Sequence, residues 1–496
     1  MREFTEQERV RRDKLNFFYD NNIDPFGSKL EITANSLELK TKYLEFTKEE
    51  LHEKNEVVTV AGRIMTKRES GKTGFFNLQD RNGQIQIYLR KDAVSELEFE
   101  MFKSADLGDI VGITGEVMKT NTGELTVKAS NFIHLTKALK PLPDKFHGIA
   151  DPEIKLRKRY LDMIMDPEVM DLFRKKQIFW STIRNYLIEN GFLEVETPIL
   201  ENNAGGAAAT PFNTHHNALD LDVYLRISMG ELWQKKLLVA GYEKTFEIGR
   251  QFRNEGMSPE HLQDYTQMEF YWAYADYKIG MDFVKEMYKR AIKNVLGTSV
   301  FQVKDFTIDI DKEWEIYDFE TVVKEGTGIS IYEATKEDVI KVLEENHVEF
   351  DPDMPYWRLV DVLWKIVRKN LGGPGFLVGQ PVELNPLPKR LKEDPRKVAQ
   401  FQVILAGSEM GNGYNELNDA DDLESRFQEQ RQMAEAGDEE AHSHDAEFIE
   451  ALEYGMPPAF GFGVSERLFS TIMNRPIREC VMFPLMKPQN INKDNE

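Results

Sequence analysis

Arg253, Glu255, His261 and Tyr265 fall within thirteen residues of one another, in the segment FRNEGMSPEHLQDY. A guanidinium forks onto phosphate oxygens, and an aromatic ring stacks on a base. With a carboxylate and an imidazole beside them, the set suits a nucleotide. From composition alone, Arg253 and Glu255 serve equally well as a surface ion pair in a hairpin loop. A second cluster is SEMGNGYNELND, 408–419, where Glu409 and Glu416 are seven residues apart with Gly411 and Gly413 between them. Glycines there permit close backbone approach. Two carboxylates in such a strand suit a hard cation or an ammonium ligand, although the spacing by itself favours solvated acidity. A third is GFGVSERLF, 461–469, a Gly-rich strand running into a helix that starts near Ser465 as N-cap. Arg467 there is an anion clamp or a surface charge, and spacing does not decide. No GxxxxGK[ST], no GxGxxG after a strand and no HExxH occurs, so phosphate chemistry of the P-loop or Rossmann kind is excluded.

These clusters need elements to hold them. FEIGRQFR and YTQMEFYW read as two long strands around a loop. Period 2 puts Glu247, Gly249, Gln251 and Arg253 on one face. On the second strand Gln267, Glu269 and Tyr271 share a face, opposite Met268, Phe270 and Trp272. Glu168 to Asn190 reads as a helix with Val169, Leu172, Phe173, Phe179, Ile183, Tyr186 and Leu187 on one stripe, and Gly191 stands at its C-terminal cap. FLEVETPIL reads as a strand, and 278–297 and 334–371 read as helices. Earlier in the chain, residues 56–136 carry short β-branched runs separated by SGKTG, DRNG and NTGE. They suggest a small closed barrel, with a sandwich as the alternative. The division expected is a helical segment over 1–55, the barrel over 56–140, a Pro-containing linker over 141–160 and a large domain over 161–496. Strands mixed with helices without βαβ regularity make the fold class α+β with an antiparallel sheet.

Composition narrows the function. The 496 residues hold 63 Lys+Arg against 85 Asp+Glu, a net charge of −22. This argues against general adhesion to nucleic acid, and DNA is not an expected partner. Charge is segregated: Lys155, Arg157, Lys158 and Arg159 cluster, while 419–450 hold 12 acidic and 2 basic residues. The single Cys480 excludes an internal disulfide and a Cys-based zinc site. The N-terminus MREFTEQERV lacks an apolar segment and no run of apolar residues could span a bilayer, so neither secretion nor a membrane is expected. A cytoplasmic location follows as an expectation.

Taken together, the segments resemble a class II aminoacyl-tRNA synthetase, and within that class the bacterial type of lysyl-tRNA synthetase. EVETPIL, with Pro198, is similar to motif 1, the dimer-interface element. FEIGRQFRNEG through YTQMEFYWAYADY is similar to motif 2, and GFGVSERLF through RECVMFPLMKP to motif 3. AGGAAATPFNTHHNALDLDVYLRIS and GNGYNELNDADD resemble segments peculiar to the lysine enzymes. The resemblance covers nearly the whole chain, in the right order.

The resemblance implies a homodimer that joins L-lysine to tRNA(Lys) through a lysyl-adenylate, with ATP as substrate and Mg2+ as its metal. Arg253 would hold the α-phosphate and the substrate carboxylate. Glu255 would meet the adenine amino group, Tyr265 would stack on the ring where the family usually has Phe, and His261 and Arg467 would hold the β/γ-phosphates. Glu231 would bind the lysine α-ammonium. Glu269, Tyr271 and Glu416 would receive the side-chain ammonium, framed by Asn412 and Tyr414, and the loop 204–206 would close over it through Gly206. The N-terminal barrel would be the family's anticodon-binding OB-fold, with Phe75 stacked on the central base and Arg68 and Gln86 reading its edge. Phe76 is adjacent on the opposite strand face, so only one of the two rings can be core. His215 and His216 resemble a family signature but are expected to be structural, and His442 and His444 to be solvated.

Three departures stand out. The metal pair would be Glu409 and residue 402, but Gln402 stands where the family has Glu. RISMGEL is one residue longer than usual before Glu231. The third motif has Glu466 in place of Asp, with its glycines one residue further from Arg467. Two rival functions remain at this level: a synthetase paralogue that lysylates a protein, which the strands of 56–136 argue against, and a catalytically silent RNA-binding scaffold, which Arg253, Glu255, Glu416 and Arg467 argue against.

Overall fold

The structure is a computed structural model that describes residues 3–143, 149–203, 205, 209–256, 258–385, 387–435 and 445–489. It divides into two compact units, residues 1–168 and 169–496.

In the first unit, β1 (Val57–Ser70), β2 (Thr73–Asp80), β3 (Gly83–Arg90), β4 (Ile110–Lys119) and β5 (Leu125–Thr136) form a closed barrel in the order β1-β2-β3-β5-β4. Pairing of β1 with β4 closes it and excludes the sandwich. Alternation sorts the side chains. Ile85, Ile87 and Leu89 point into the core, while Gln86 and Tyr88 between them stay on the outer face. Four short helices precede the barrel: Glu6–Asp13, Leu15–Asp20, Ser36–Lys42 and Lys48–Lys54. Thr5, Asn35 and Thr47 start three of them with capping boxes. These helices have no core of their own. Phe18, Leu39, Tyr43 and Leu51 are buried in the same cluster as the barrel interior.

The second unit is built on an eight-stranded sheet. Its strands are β6 (Leu193–Glu194), β10 (Lys244–Phe252), β11 (Asp264–Ala273), β14 (Glu315–Asp318), β15 (Gly375–Val378), β16 (Gln400–Leu405), β17 (Ser408–Asn415) and β18 (Ala459–Ser465). The intervening β7 (Leu200–Glu201), β8 (Asn213–His216) and β9 (Leu221–Leu225) form a separate three-stranded sheet, and β12 (Val300–Val303) pairs with β13 (Phe306–Asp309). The large sheet runs β14-β15-β16-β17-β18-β11-β10-β6, antiparallel except at its two ends. Helices Pro167–Glu189 and Tyr277–Leu296 cover one face. Their Phe179, Ile183, Leu187, Val284, Met287 and Ile292 pack with Phe246, Met268, Phe270, Phe460 and Phe462 of the strands. On the opposite face the middle strands present polar groups, while Leu377 and Ile404 pack in a second cluster with Phe319, Leu359 and Leu363.

Two readings need correction. FLEVETPIL is not one strand: only Leu193–Glu194 and Leu200–Glu201 pair, and they join different sheets. Pro198 lies between them and removes a ladder donor. The region 334–371 is two helices, Lys336–Glu345 and Tyr356–Val367, because Pro352 and Pro355 break the run.

Phe76 is the core member of the aromatic pair, at 1% exposure, and Phe75 faces out at 37%. Phe76→Ala is therefore expected to destabilise by about 3–5 kcal/mol, and Phe75→Ala by under about 1 kcal/mol. Urea midpoints of the two variants check this, and equal shifts would contradict the assignment.

Candidate active site

The polar face of the large sheet forms the floor of a cavity of about 440 Å3. Register explains why there is room. Tyr271 pairs with Gly461, which pairs with Tyr414. One step along, Glu269 pairs with Gly463, which pairs with Asn412. The middle strand thus puts glycines on the cavity side and Phe460, Phe462 and Val464 in the core. A Cβ at Gly461 would overlap Glu416 Oε1, and one at Gly230 would overlap Tyr271 and Glu269. Glycine is required at both positions because side chains occupy the space a Cβ needs.

Glu231, Arg253, Glu255, His261, Tyr265, Glu269, Tyr271, Gln402, Glu409, Asn412, Tyr414, Glu416 and Arg467 all line this one cavity. Gly206 lies outside the described residues, as do His442 and His444. The reading of Glu409 and Glu416 as solvated acidity is overturned. Glu416 is 1% exposed, and Glu409 is engaged on both oxygens.

At one end, three carboxylates are taken out of water. Glu269 accepts from Gln267 Nε2 at 2.6 Å, Ser228 Oγ at 3.2 Å and Tyr271 OH at 3.3 Å. Glu231 accepts from Tyr414 OH at 2.7 Å. Glu416 Oε1 has no hydrogen-bond partner. Burial first, and then the neighbouring carboxylate Glu231, push the Glu269 pKa up. The Glu416 pKa is likewise raised by burial against the pull of Lys235. Lys235 is the residue that sequence reading missed. Its ammonium, 2% exposed, bonds Glu231 and lies 2.5 Å from Glu416 Oε2. Burial opposes the charge, but the two carboxylates outweigh it and hold the Lys235 pKa above the ordinary lysine value. The signal was available, because Glu231 and Lys235 are four residues apart at the start of helix Trp233–Val239. Glu201 was also missed. It accepts from Trp233 Nε1 at 2.8 Å, and burial pushes its pKa up to about 7.

At the other end the charges are positive. Arg253 Nε donates to Ile227 O at 3.3 Å, and its guanidinium stands 5.9 Å from the centre of the Tyr265 ring. His261 Nδ1 lies 2.7 Å from Ser258 Oγ, and burial followed by the Arg467 charge lowers the His261 pKa. Arg467 opens helix Arg467–Ile472, with its N–H donating to Ser465 Oγ at 3.3 Å. Ser465 is thus the last strand residue, and Glu466 rather than Ser465 holds the N-cap position. Glu466, fully buried, pins this junction by accepting from Lys176 and from Thr266 N at 3.2 Å. Arg467 Nη2 donates to the Glu409 carbonyl.

The expected metal position is not built as a ligand pair. Glu409 Oε2 is 3.1 Å from Arg368 Nη1, and Oε1 accepts from Trp364 Nε1 at 2.6 Å. Gln402 Oε1 accepts from Gln380 Nε2 at 2.7 Å. Among the described residues no group of three or more His, Cys, Asp or Glu side chains is placed to hold a metal ion. One neutral amide already in use and one carboxylate already paired with a guanidinium do not fit a divalent cation between them.

In the barrel unit, Arg68 and Phe75 are cross-strand partners on the exposed face. Phase puts Gln86 on the same face, where Thr126 Oγ1 donates to its Oε1 at 2.9 Å. Tyr88, not singled out from sequence, stacks on Phe75 with ring centres 4.6 Å apart. In the second unit His215 Nδ1 lies 2.8 Å from Asp222, and His216 Nδ1 accepts from Leu219 N at 3.2 Å.

Removing Lys235 leaves two buried carboxylates without their cation. Lys235→Met is expected to destabilise by about 3–5 kcal/mol at neutral pH. The sign follows from the raised Lys235 pKa: the stabilisation lost in the variant is fully present below the ordinary lysine value of 10.5 and fades only as pH rises above it. Chemical denaturation at pH 7.5 checks this, and a loss under about 1 kcal/mol would contradict it.

Comparison with known proteins agrees with this geometry. The family profile described as "tRNA synthetases class II (D, K and N)" matches residues 151–487, and the profile "OB-fold nucleic acid binding domain" matches residues 58–135. The lysine--tRNA ligase of Bacillus subtilis (strain 168) is 46% identical over 489 residues, 98% of each chain. That of Staphylococcus saprophyticus is 46% identical over 491 residues, 98% of this chain and 99% of the relative. The lysine--tRNA ligase of Enterococcus faecalis is 46% identical over 491 residues, with 98% of each covered. With a class II profile over most of its length and relatives this similar from end to end, the chain belongs to the class II lysyl-tRNA synthetases.

Proposed function

We propose that this chain is a lysine–tRNA ligase, joining L-lysine to tRNA(Lys) through an enzyme-bound lysyl-adenylate. The observation that carries the substrate is a charge count in the buried end of the cavity. Among the described residues, Glu231 and Glu416 share one cation, Lys235, and Glu269 accepts from the neutral donors Ser228, Gln267 and Tyr271. With all three ionised, two negative charges are left for a ligand to compensate, and burial raises the Glu269 and Glu416 pKa values until one binds. Free lysine brings two ammonium groups, one for Glu231 and one for Glu269, Tyr271 and Glu416, with Asn412 and Tyr414 framing the site. An uncompensated buried carboxylate costs several kcal/mol, so a dicationic end is favoured over an aspartate or asparagine side chain.

The lysine carboxylate then points to Arg253. ATP, with the Mg2+ ion it carries in solution, is the second substrate. Its adenine lies between Glu255 and Tyr265, and its terminal phosphates meet His261 and Arg467. A carboxylate oxygen forms a bond to the α-phosphorus, and the bond to the β-phosphate oxygen breaks, releasing pyrophosphate. No protein nucleophile is needed. Rate comes from holding two anionic reactants together and neutralising charge as it develops. In the second step the terminal adenosine hydroxyl of tRNA attacks the lysyl carbonyl, and AMP leaves.

Phe75 is assigned to stacking on the central anticodon base, backed by Tyr88, with Arg68 and Gln86 at the base edge. A base–aromatic stack contributes roughly 1–3 kcal/mol. A homodimer is supported by apolar residues left exposed around the motif 1 segment, among them Leu193, Ile199 and Leu200 at 49%, 44% and 49%. The cytosol is the compartment proposed. Among the described residues no helix is long and apolar enough to cross a membrane.

ATP–pyrophosphate exchange is expected to depend on lysine, and exchange driven instead by aspartate or asparagine would overturn the substrate. Phe75→Ala is expected to reduce tRNA charging about tenfold while leaving lysine-dependent exchange intact. Loss of both steps together would contradict the anticodon role.

A further inference from the structure

The pairing of Glu409 with Arg368 separates this site from one built to hold a metal. Trp364 and Arg368 are four residues apart, at the end of helix Tyr356–Val367 and the turn Arg368–Asn370 that follows it. They therefore present two donors from the same side, one to each oxygen of Glu409. Trp364 is 2% exposed and fixed in a core cluster, so this arrangement is held by packing and not by a mobile surface contact.

The neighbours reinforce it. Gln402 stands across the β16–β17 ladder and offers no charge, and its one acceptor oxygen is already bonded to Gln380, itself buried. Arg467 reaches the Glu409 backbone carbonyl, which brings a second guanidinium to the same residue. A divalent ion placed on the Glu409 carboxylate would meet Arg368 as a like charge a few ångströms away. The carboxylate's charge is spent inside the protein.

Resting on the nucleotide reading above, we propose that Arg368 acts as a positioning residue that makes Glu409 a charge-compensated wall of the triphosphate end rather than a metal ligand. ATP then binds with only the divalent ion that the nucleotide itself brings. Arg368 acts through Glu409, and Arg467 is the cation that faces the phosphates.

The test counts metal ions rather than turnover. Mn2+ bound per molecule of a non-hydrolysable ATP analogue is measured by electron paramagnetic resonance on the full-length protein. The wild type and the near-isosteric Glu409→Gln variant are each expected to hold a single Mn2+ per nucleotide, with equal Mn2+ affinity within about twofold. The double variant Arg368→Met, Gln402→Glu frees one carboxylate and adds another, and is expected to gain one further Mn2+. A wild-type count above one, or a tenfold loss of Mn2+ affinity in Glu409→Gln, would overturn the proposal while leaving the nucleotide site standing. Failure of the wild type to bind the analogue at all would overturn the nucleotide reading and this proposal with it.

Discussion

The second unit depends on keeping negative charge buried. Three glutamates converge on one end of a cavity, and each is almost wholly out of water. Their mutual repulsion and their desolvation both oppose ionisation. Lys235 offsets part of this by bridging Glu231 and Glu416, and Ser228, Gln267 and Tyr271 donate to Glu269. The compensation is incomplete. An unpartnered oxygen on Glu416 and a raised Glu269 pKa mark a site that is electrostatically unfinished without a cation. On the proposed reading, preference for lysine follows from that imbalance, because a neutral or acidic side chain would leave the carboxylates uncompensated.

The sheet supplies the geometry for this chemistry by alternation. In β18, glycine and large apolar residues take turns, so one face is open floor and the other is core. The same period places Glu269 and Tyr271 above the floor and Met268 and Phe270 beneath it. Cationic groups come from the ends of regular elements at the other end: Arg253 from just past the end of a strand, Arg467 from the first residue of a short helix anchored by Glu466. A cavity acidic at one end and basic at the other matches a substrate pair with ammonium groups at one end and phosphates at the other. The barrel unit uses the same alternation for a different purpose, turning Phe76 inward and leaving Phe75, stacked on Tyr88, on the outer face.

Much of this was legible in the residues. The two hairpin strands and the placing of Phe75 and Phe76 on opposite faces follow from period 2, because a strand side chain has only two faces to choose from; closure of the barrel and the choice of Phe76 as the core ring came from the tertiary structure. The three motifs and their order identified the class. Where reading failed, the cause was local. FLEVETPIL has strand-like composition, but Pro198 and the lack of one continuous partner split it. The 334–371 region has helical period on both sides of a proline-containing break.

What the sequence determined by itself was the set of chemical groups and the faces they occupy, since both follow from residue type and short-range periodicity. Only the tertiary structure decided their charge state and partnerships. Glu416 looked solvated in an acidic segment, yet it is 1% exposed, next to Leu417 of a cluster that gathers Leu232, Leu238 and Phe448. Lys235 joined it from a helix some 180 residues away. Arg368 and Trp364 reached Glu409 from another helix and settled how that carboxylate is used. Such pairings depend on long-range contacts that close only when the sheet forms, and electrostatic energy depends on those distances and on burial, neither of which a linear pattern encodes.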